Sequence, residues 1–395
     1  MNLLAKSSPC AGRFLLAVFT LILGSSLAAL AQKPKLPRPR ILEHEIHMSR
    51  DPSTGEMRVN SAEESDNATS TPVPIIRSRV ALVELQCTVT APDGTRVRGL
   101  NQADFRVFED GVEQNLASFD AATTPASIAL VIDASPSIYR ELGDMRTVAQ
   151  SLAKSLQRED EVAVVAFANE THLLLPFSRD RNLLNSALTS PELAQVANSS
   201  QSFIYQATYI SAVQLFAGRA GRKALVLLTD GQDSGLGLTW NATSMQPSAG
   251  ANSPLAFQDV AQGIAAHGVE LYVISTEPRP RIMTAAWLSS KREQPLVTSA
   301  ARTSGLPLYT LYLAELVRQV GGELYFLREI GSLAEIYHTI ALKLEAEYTL
   351  GYYPSAGISK PGWRKLKVEL RHDAQVPANS EITYRTAYYV PASAR

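Results

Sequence analysis

Three oxygen-bearing side chains follow one apolar stretch of the chain at alternate positions. Residues 128–132, IALVI, are followed by Asp133, Ser135 and Ser137. A loop that leaves the end of a strand can point side chains at this spacing toward one centre. Their carboxylate and hydroxyl oxygens suit a hard cation such as Mg2+ or Ca2+ better than zinc or copper. The same residue types also cap the start of a helix, so the pattern alone leaves both interpretations open.

A second carboxylate occupies the same kind of position further along the chain. Residues 223–229, KALVLLT, are typical of a strand buried on both faces, and Asp230 follows them directly. Helical and strand patterns alternate over residues 123–345, which predicts a doubly wound α/β domain with a mostly parallel sheet flanked by helices. In such sheets ligands bind at the carboxyl ends of the strands. This topology favours a metal site over helix capping.

Strand-like segments lie on both sides of this α/β domain. They cover residues 75–122 and residues 346–392, and each has too few strands to bury one face alone. We therefore predict that the two segments pair with one another in an additional small β-sandwich. Within the α/β domain, residues 277–307 break the alternation and are interpreted as an insertion or a long surface loop.

The amino terminus has the pattern of a secretory signal peptide. Lys6 and Arg13 precede an apolar run, and small residues then lead to an A-x-A cleavage pattern that ends at Ala31. The predicted signal peptide spans residues 1–31, which places the mature protein outside the cell or in the periplasm. An uncleaved membrane anchor is the alternative. Residues 32–74 are rich in Pro, Ser, Glu and Asn, a composition that predicts a flexible linker.

Composition restricts the partners and the sources of stability. Removal of Lys6 and Arg13 with the signal peptide changes the formal net charge from −1 to −3, and nothing in the sequence indicates a nucleic-acid partner. Cys87 is then the one remaining cysteine, which excludes an intrachain disulfide. It lies in an alternating strand pattern, so we expect a small buried core residue.

These residues resemble the von Willebrand factor type A (VWA) domain. Its metal-ion-dependent adhesion site has the form D-x-S-x-S followed by a distant Thr and a distant Asp. The flanking segments are similar to the VWFA-related acidobacterial domain family of secreted bacterial proteins, on the basis of DFRVFEDGVEQNLASF at 104–119, AEYTLGYYP at 346–354 and GWRKLKV at 362–368. The resemblance covers residues 75–390.

The resemblance implies a divalent-cation site with ligands Asp133, Ser135, Ser137, Ser202 and Asp230. Ser202 lies in SQSFIYQA, where relatives read Gly-Gly-Thr-x-Leu-Tyr-Asp-Ala, and it stands in for the threonine while keeping a hydroxyl group. Thr208 is a rival donor, but within the predicted helix its hydroxyl is expected to bond back to the helix backbone. Asp233, just beyond Asp230, could support the site from outside the ligand set or close a turn, and the turn is the favoured interpretation.

The three serine hydroxyls would bind the ion directly and the two aspartates through water. The implied ion is Mg2+, with Ca2+ or Mn2+ as substitutes, and an open coordination position would take an Asp or Glu carboxylate from a partner protein. The expected function is a non-catalytic role in bacterial adhesion or assembly. One alternative is a structural or interaction module with a degraded metal site. The other, a metal-dependent hydrolase, is disfavoured by the scattered histidines and the lack of a G-x-S-x-G or Cys-His arrangement.

Overall fold

A computed structural model describes the chain at residues 36–61, 82–121, 125–136, 138, 151–197, 201–241, 246–250, 253–281, 283, 308–330, 333–344, 348–358 and 360–392. The predicted signal peptide, Ser137, residues 32–35 and 62–74 of the predicted linker and most of the 277–307 insertion lie outside these ranges. Within them, no helix has both the length and the apolar character needed to cross a membrane.

The structure contains nineteen strands over the described ranges. In chain order they are β1 Arg40–Ile41, β2 Ile46–Arg50, β3 Met57–Ser61, β4 Val83–Thr90, β5 Phe105–Glu109, β6 Val112–Gln114, β7 Leu116–Asp120, β8 Ala126–Asp133, β9 Glu161–Phe167, β10 Thr171–Ser178, β11 Arg222–Thr229, β12 Thr239–Asn241, β13 Gln246–Ser248, β14 Glu270–Ser275, β15 Gly322–Phe326, β16 Tyr348–Tyr352, β17 Gly362–Leu370, β18 Glu381–Tyr384 and β19 Ala387–Val390.

The described α-helices follow the same order along the chain. They are α1 Arg181–Leu188, α2 Pro191–Val196, α3 Ile204–Ile210, α4 Phe257–Ala266, α5 Leu308–Val320, α6 Leu327–Ile330 and α7 Leu333–Leu344. Helix α3 continues as a π-helical turn over Ser211–Leu215. Short 3-10 helices lie at Leu42–Glu45 and Gln102–Asp104.

A seven-stranded sheet forms the centre of the α/β domain, in the order β1-β10-β9-β8-β11-β14-β15. The five neighbouring strands β9, β8, β11, β14 and β15 run parallel to one another. At one edge β10 pairs antiparallel with β9, and β1 pairs antiparallel with β10. All eight residues of β8 are buried. This burial explains the uninterrupted apolar run in the sequence, because a central parallel strand is covered on both faces.

Helices α3, α4 and α5 cover one face of this sheet. Ala129, Val131, Leu225 and Leu227 share a hydrophobic cluster with apolar residues of these three helices. The intervening residues of β8 point to the opposite face and are also buried. The predicted doubly wound α/β architecture is therefore confirmed.

The two strand-rich segments form one β-sandwich, as predicted. Its sheets have the orders β18-β4-β16-β7 and β19-β17-β5-β6, so each sheet takes two strands from the segment before the α/β domain and two from the segment after it. Both sheets contribute to one apolar cluster, in which Leu85 and Leu350 meet Val107 and Val368. Cys87 belongs to this core, and burial raises the pKa of its thiol to about 12.

Residues 40–61 are not a flexible linker, and the prediction is wrong over this stretch. Strand β1 pairs with β10, and β2 and β3 form a hairpin. Leu42 is 1% exposed in the main core, where Met48, Met57 and Val59 also pack. The prediction is based on the average composition of residues 32–74, which is polar. The apolar residues begin directly after the Pro-rich run.

Two polar contacts fix the same stretch to the rest of the chain. The Glu43 carboxylate accepts hydrogen bonds from the backbone N–H of Thr171 at 3.0 Å and from its hydroxyl at 2.5 Å. The Arg50 guanidinium donates to both carboxylate oxygens of Asp259 on α4, at 3.1 and 2.6 Å. A bidentate pair of this kind fixes orientation as well as proximity.

The burial of Leu42 gives a direct test of this part of the fold. We expect Leu42→Ala to lower the free energy of unfolding by about 2–5 kcal/mol, because it removes a buried side chain from the main core. Urea denaturation measures the change. Val112→Ala is the control, since Val112 is 57% exposed and its truncation should change stability by less than about 0.5 kcal/mol. Equal, small effects of both substitutions would mean that residues 40–61 do not pack as described.

Candidate metal centre

The candidate ligands meet at the carboxyl edge of the parallel sheet. Strands β8 and β11 are neighbours, with Ile132 opposite Leu228. Asp133 is the last residue of β8, and Asp230 follows the last residue of β11. The fold therefore brings the two carboxylates, which lie far apart in the sequence, to adjacent strand ends.

Asp133 is the centre of a buried hydrogen-bond network. Its Oδ1 accepts from the backbone N–H of Ser135 at 3.0 Å. Its Oδ2 accepts from the hydroxyl of Ser202 at 3.0 Å and from the hydroxyl of Thr229 at 2.7 Å. Asp133 is 0% exposed, and the other three residues are also buried. The structure thus brings Asp133, Ser135 and Ser202 together, while Ser137 lies outside the described residues.

Ser202 reaches Asp133 from the loop that precedes α3. The N–H of Phe203 donates to the carbonyl of Ala168 at 2.8 Å, and the N–H of Ser234 donates to the carbonyl of Ser202 at 2.7 Å. These backbone bonds on either side fix the position of the Ser202 side chain. The Thr208 hydroxyl instead donates to the carbonyl of Ile204 at 2.7 Å, within α3, so Thr208 does not contribute to the cluster.

Asp230 lies next to this network and is 6% exposed. Its Oδ1 accepts from the N–H of Gln232 at 2.9 Å, and its charge acts on Asp133. Gly231 adopts a φ of +85°, and a Cβ there would lie 2.8 Å from Cδ1 of Leu313 on α5. A side chain at Gly231 would be strained by the backbone conformation and would have to displace the side chain of Leu313.

The electrostatics of the cluster are dominated by the burial of Asp133 and by the nearby charge of Asp230. Burial raises the pKa of the Asp133 carboxyl above its ordinary value, hydrogen bonds from Ser135 and Thr229 lower it, and the charge of Asp230 raises it. None of these groups carries a positive charge. A bound hard cation fits such a site, because it would offset both the burial and the repulsion between the carboxylates.

The chemical types of the donor atoms also suit Mg2+ or Ca2+. The cluster offers only carboxylate and hydroxyl oxygens, and the Ser202 hydroxyl retains lone pairs while it donates to Asp133. Over the described ranges, no three His, Cys, Asp or Glu side chains group together as a metal site. A site here would therefore depend on serine hydroxyls in addition to carboxylates.

Sequence reasoning missed Thr229. Its hydroxyl donates to Asp133 and accepts the N–H of Gly231 at 3.0 Å, so it links β8 to the turn that carries Asp230. The sequence does not indicate this role, because threonine is common in β-strands and needs no further explanation at the end of one. The predicted turn at Asp233 is present: its Oδ2 accepts the N–H groups of Gly235 and Leu236 at 3.0 and 2.7 Å.

Fold and cluster together define a doubly wound α/β domain whose candidate ligands converge at the carboxyl edge of its sheet. Residues 127–291 match the von Willebrand factor type A domain family. The chain therefore contains a VWA domain. No curated protein sequence matches the chain. The narrower resemblance of the flanking segments to the acidobacterial family stays a prediction.

Several solved structures are similar at low identity. An aerotolerance-related membrane protein from Bacteroides fragilis is 14% identical with a TM-score of 0.37, over 55% of this chain and 98% of that one. BatB from Bacteroides thetaiotaomicron is 15% identical with a TM-score of 0.35, over 55% and 99%. The vWF domain of the type V pili tip protein Mfa5 from Porphyromonas gingivalis is 11% identical with a TM-score of 0.37, over 57% and 97%. At these values the likeness carries no inference about activity.

The raised Asp133 pKa predicts how stability depends on pH in the absence of divalent cations. A carboxyl with a higher pKa in the folded than in the unfolded state destabilises the protein above that folded-state pKa, and the loss is recovered as the pH falls toward the unfolded-state value. We expect the wild type in chelator to gain stability relative to Asp133→Asn as the pH falls from neutral toward about pH 4, the ordinary value of an Asp carboxyl. Urea denaturation at each pH measures the difference. A difference that does not change with pH would contradict the raised pKa.

Proposed function

We propose that this protein binds a partner protein through a divalent cation held at the carboxyl edge of its VWA domain, in a non-catalytic adhesion or assembly role. The observation that supports this most strongly is the Asp133 carboxylate, which is fully buried and carries two hydroxyl donors on one oxygen. A second carboxylate, Asp230, acts on it through its charge. We also propose a secreted or periplasmic location, on the basis of residues 1–31.

Each residue of the cluster has a distinct task in this proposal. Ser135, Ser137 and Ser202 supply neutral hydroxyl oxygens, and Asp133 and Asp230 act through water. Asp133 also orients the Ser202 hydroxyl by accepting its hydrogen bond, which turns the lone pairs of that oxygen away from the carboxylate. When bound, Mg2+ supplies an electrophilic position that a carboxylate of a partner can occupy.

The neutral hydroxyl ligands are what make a protein carboxylate the preferred partner group. Each charged ligand placed directly on an ion lowers its attraction for a further anion. With serine oxygens as direct ligands, most of the positive charge remains available to the partner. Two exposed glutamines lie at the edge of the cluster, where a partner would approach. Gln201 is next to Ser202 in the sequence, and Gln232 is near Asp230.

A structural module with a degraded metal site is the second candidate. It is favoured by one observation, namely that the hydroxyls of Ser202 and Thr229 already satisfy Asp133 Oδ2 by hydrogen bonds. In that case the cluster would serve only to hold the strand ends together. The two candidates differ in whether a divalent cation changes the stability of the protein.

Thermal unfolding with and without Mg2+ separates these candidates. A cation that binds only the folded state at a hundredfold excess over its dissociation constant adds about 2.7 kcal/mol, so the wild type should unfold at a higher temperature in Mg2+ than in chelator. Ser202→Ala should lose most of this increment, and Ser202→Thr should keep it because the hydroxyl remains.

Ser190→Ala is the matched control for the serine substitutions. The Ser190 hydroxyl caps α2 by accepting the N–H of Leu193 at 3.4 Å, so its loss should lower stability by about 1 kcal/mol and leave the Mg2+ increment intact. An absence of any Mg2+ effect in the wild type would reject the cation site and favour the structural module.

A further inference from the structure

Asp233 lies three residues after Asp230, in a turn that contacts the loop carrying Ser202. Its Oδ2 accepts the N–H groups of Gly235 and Leu236, which closes the turn after Asp230. One carboxylate thus fixes the turn that carries Ser234 and Gly235.

The residues next to Asp233 strengthen the same junction. The N–H of Ser234 donates to the carbonyl of Ser202 at 2.7 Å, and the N–H of Ser202 donates to Oγ of Ser234 at 3.4 Å. A Cβ on Gly235 would lie 3.1 to 3.3 Å from atoms of Phe203, so the two segments are in close contact. The junction leaves little freedom for Ser202 to move relative to Asp230.

Burying the Asp233 carboxylate costs free energy that a residue closing a turn does not need to incur. Burial raises its pKa, and its Oδ1 is buried without a hydrogen-bond partner among the described groups. Asp93, in contrast, closes an exposed turn of the β-sandwich by accepting the N–H and hydroxyl of Thr95 at 2.9 and 2.6 Å. Turn formation alone therefore does not require a buried carboxylate.

We propose that Asp233 is a positioning residue for the cation site, which fixes the distance between Ser202 and Asp230. This inference rests on the proposed divalent-cation site. It assigns Asp233 no contact with the ion. Its loss should leave the number of bound ions unchanged and weaken their binding, because outer groups that orient ligands typically affect metal affinity by about 10–100-fold.

The test is a titration of the full chain with Mn2+ alone, in which the signal of free Mn2+ in electron paramagnetic resonance reports both affinity and the number of bound ions. We expect one ion per chain in the wild type. Asp233→Ala should still bind one ion, about 10-fold to 100-fold more weakly. Asp233→Asn should recover part of the loss, because its amide oxygen can still accept from Gly235 and Leu236.

Three further variants make the result specific. Asp93→Ala removes the exposed turn carboxylate of the β-sandwich and should bind Mn2+ as the wild type does. Asp133→Asn should abolish binding, which locates the ion at the candidate centre. Ser234→Ala keeps the Asp233 carboxylate and removes one bond to Ser202, so it should weaken binding by a smaller factor than Asp233→Ala.

The outcomes separate this inference from the proposed function. Wild-type protein that binds no Mn2+ would overturn the cation site, and the role of Asp233 with it. Wild-type protein that binds Mn2+ while Asp233→Ala binds within twofold of it would leave the site intact and overturn the positioning role. Should Asp233→Ala not fold, wild-type affinity in both Asp233→Asn and Ser234→Ala would overturn it equally.

Discussion

The burial of one carboxylate at the end of the central strand is the constraint on which the structure of the site depends. Asp133 is withdrawn from water at the carboxyl edge of the sheet, and an ionised carboxylate there needs donors or a counter-charge. The hydroxyls of Ser202 and Thr229 and the N–H of Ser135 provide three donors. These donors lie on three separate segments. The Asp133 carboxylate therefore fixes the positions of these segments relative to one another at the carboxyl edge of the sheet.

The remainder of the chain supports this edge from a distance. The parallel strands fix the ends of β8 and β11 side by side, and α5 packs closely against the Gly231 turn. At the periphery, the β2–β3 hairpin joins the α/β domain to the β-sandwich: Arg50 binds Asp259 on α4, while Glu56 accepts the hydroxyl of Tyr389 at 2.7 Å. The β-sandwich and the hairpin thus add rigidity to a domain whose candidate site lies elsewhere.

The sequence predicted those features that depend on local pattern. The apolar runs of β8 and β11 predicted buried parallel strands, and Asp133 and Asp230 were placed at their ends because side-chain chemistry and strand length are both local. Strand β1 was missed since two residues have no pattern, and its pairing with β10 joins parts of the chain about 130 residues apart. The bond from Thr229 to Asp133 spans 96 positions and is likewise invisible to spacing rules.

The most direct test of the central claim is an anomalous difference map from crystals of the protein soaked in Mn2+. The account predicts a peak at the carboxyl edge of the sheet, within ligand distance of the Ser135 and Ser202 hydroxyls and beside Asp133 and Asp230. A map with no peak there at saturating Mn2+ would show that the hydroxyl cluster is a hydrogen-bonded strand terminus and not a cation site.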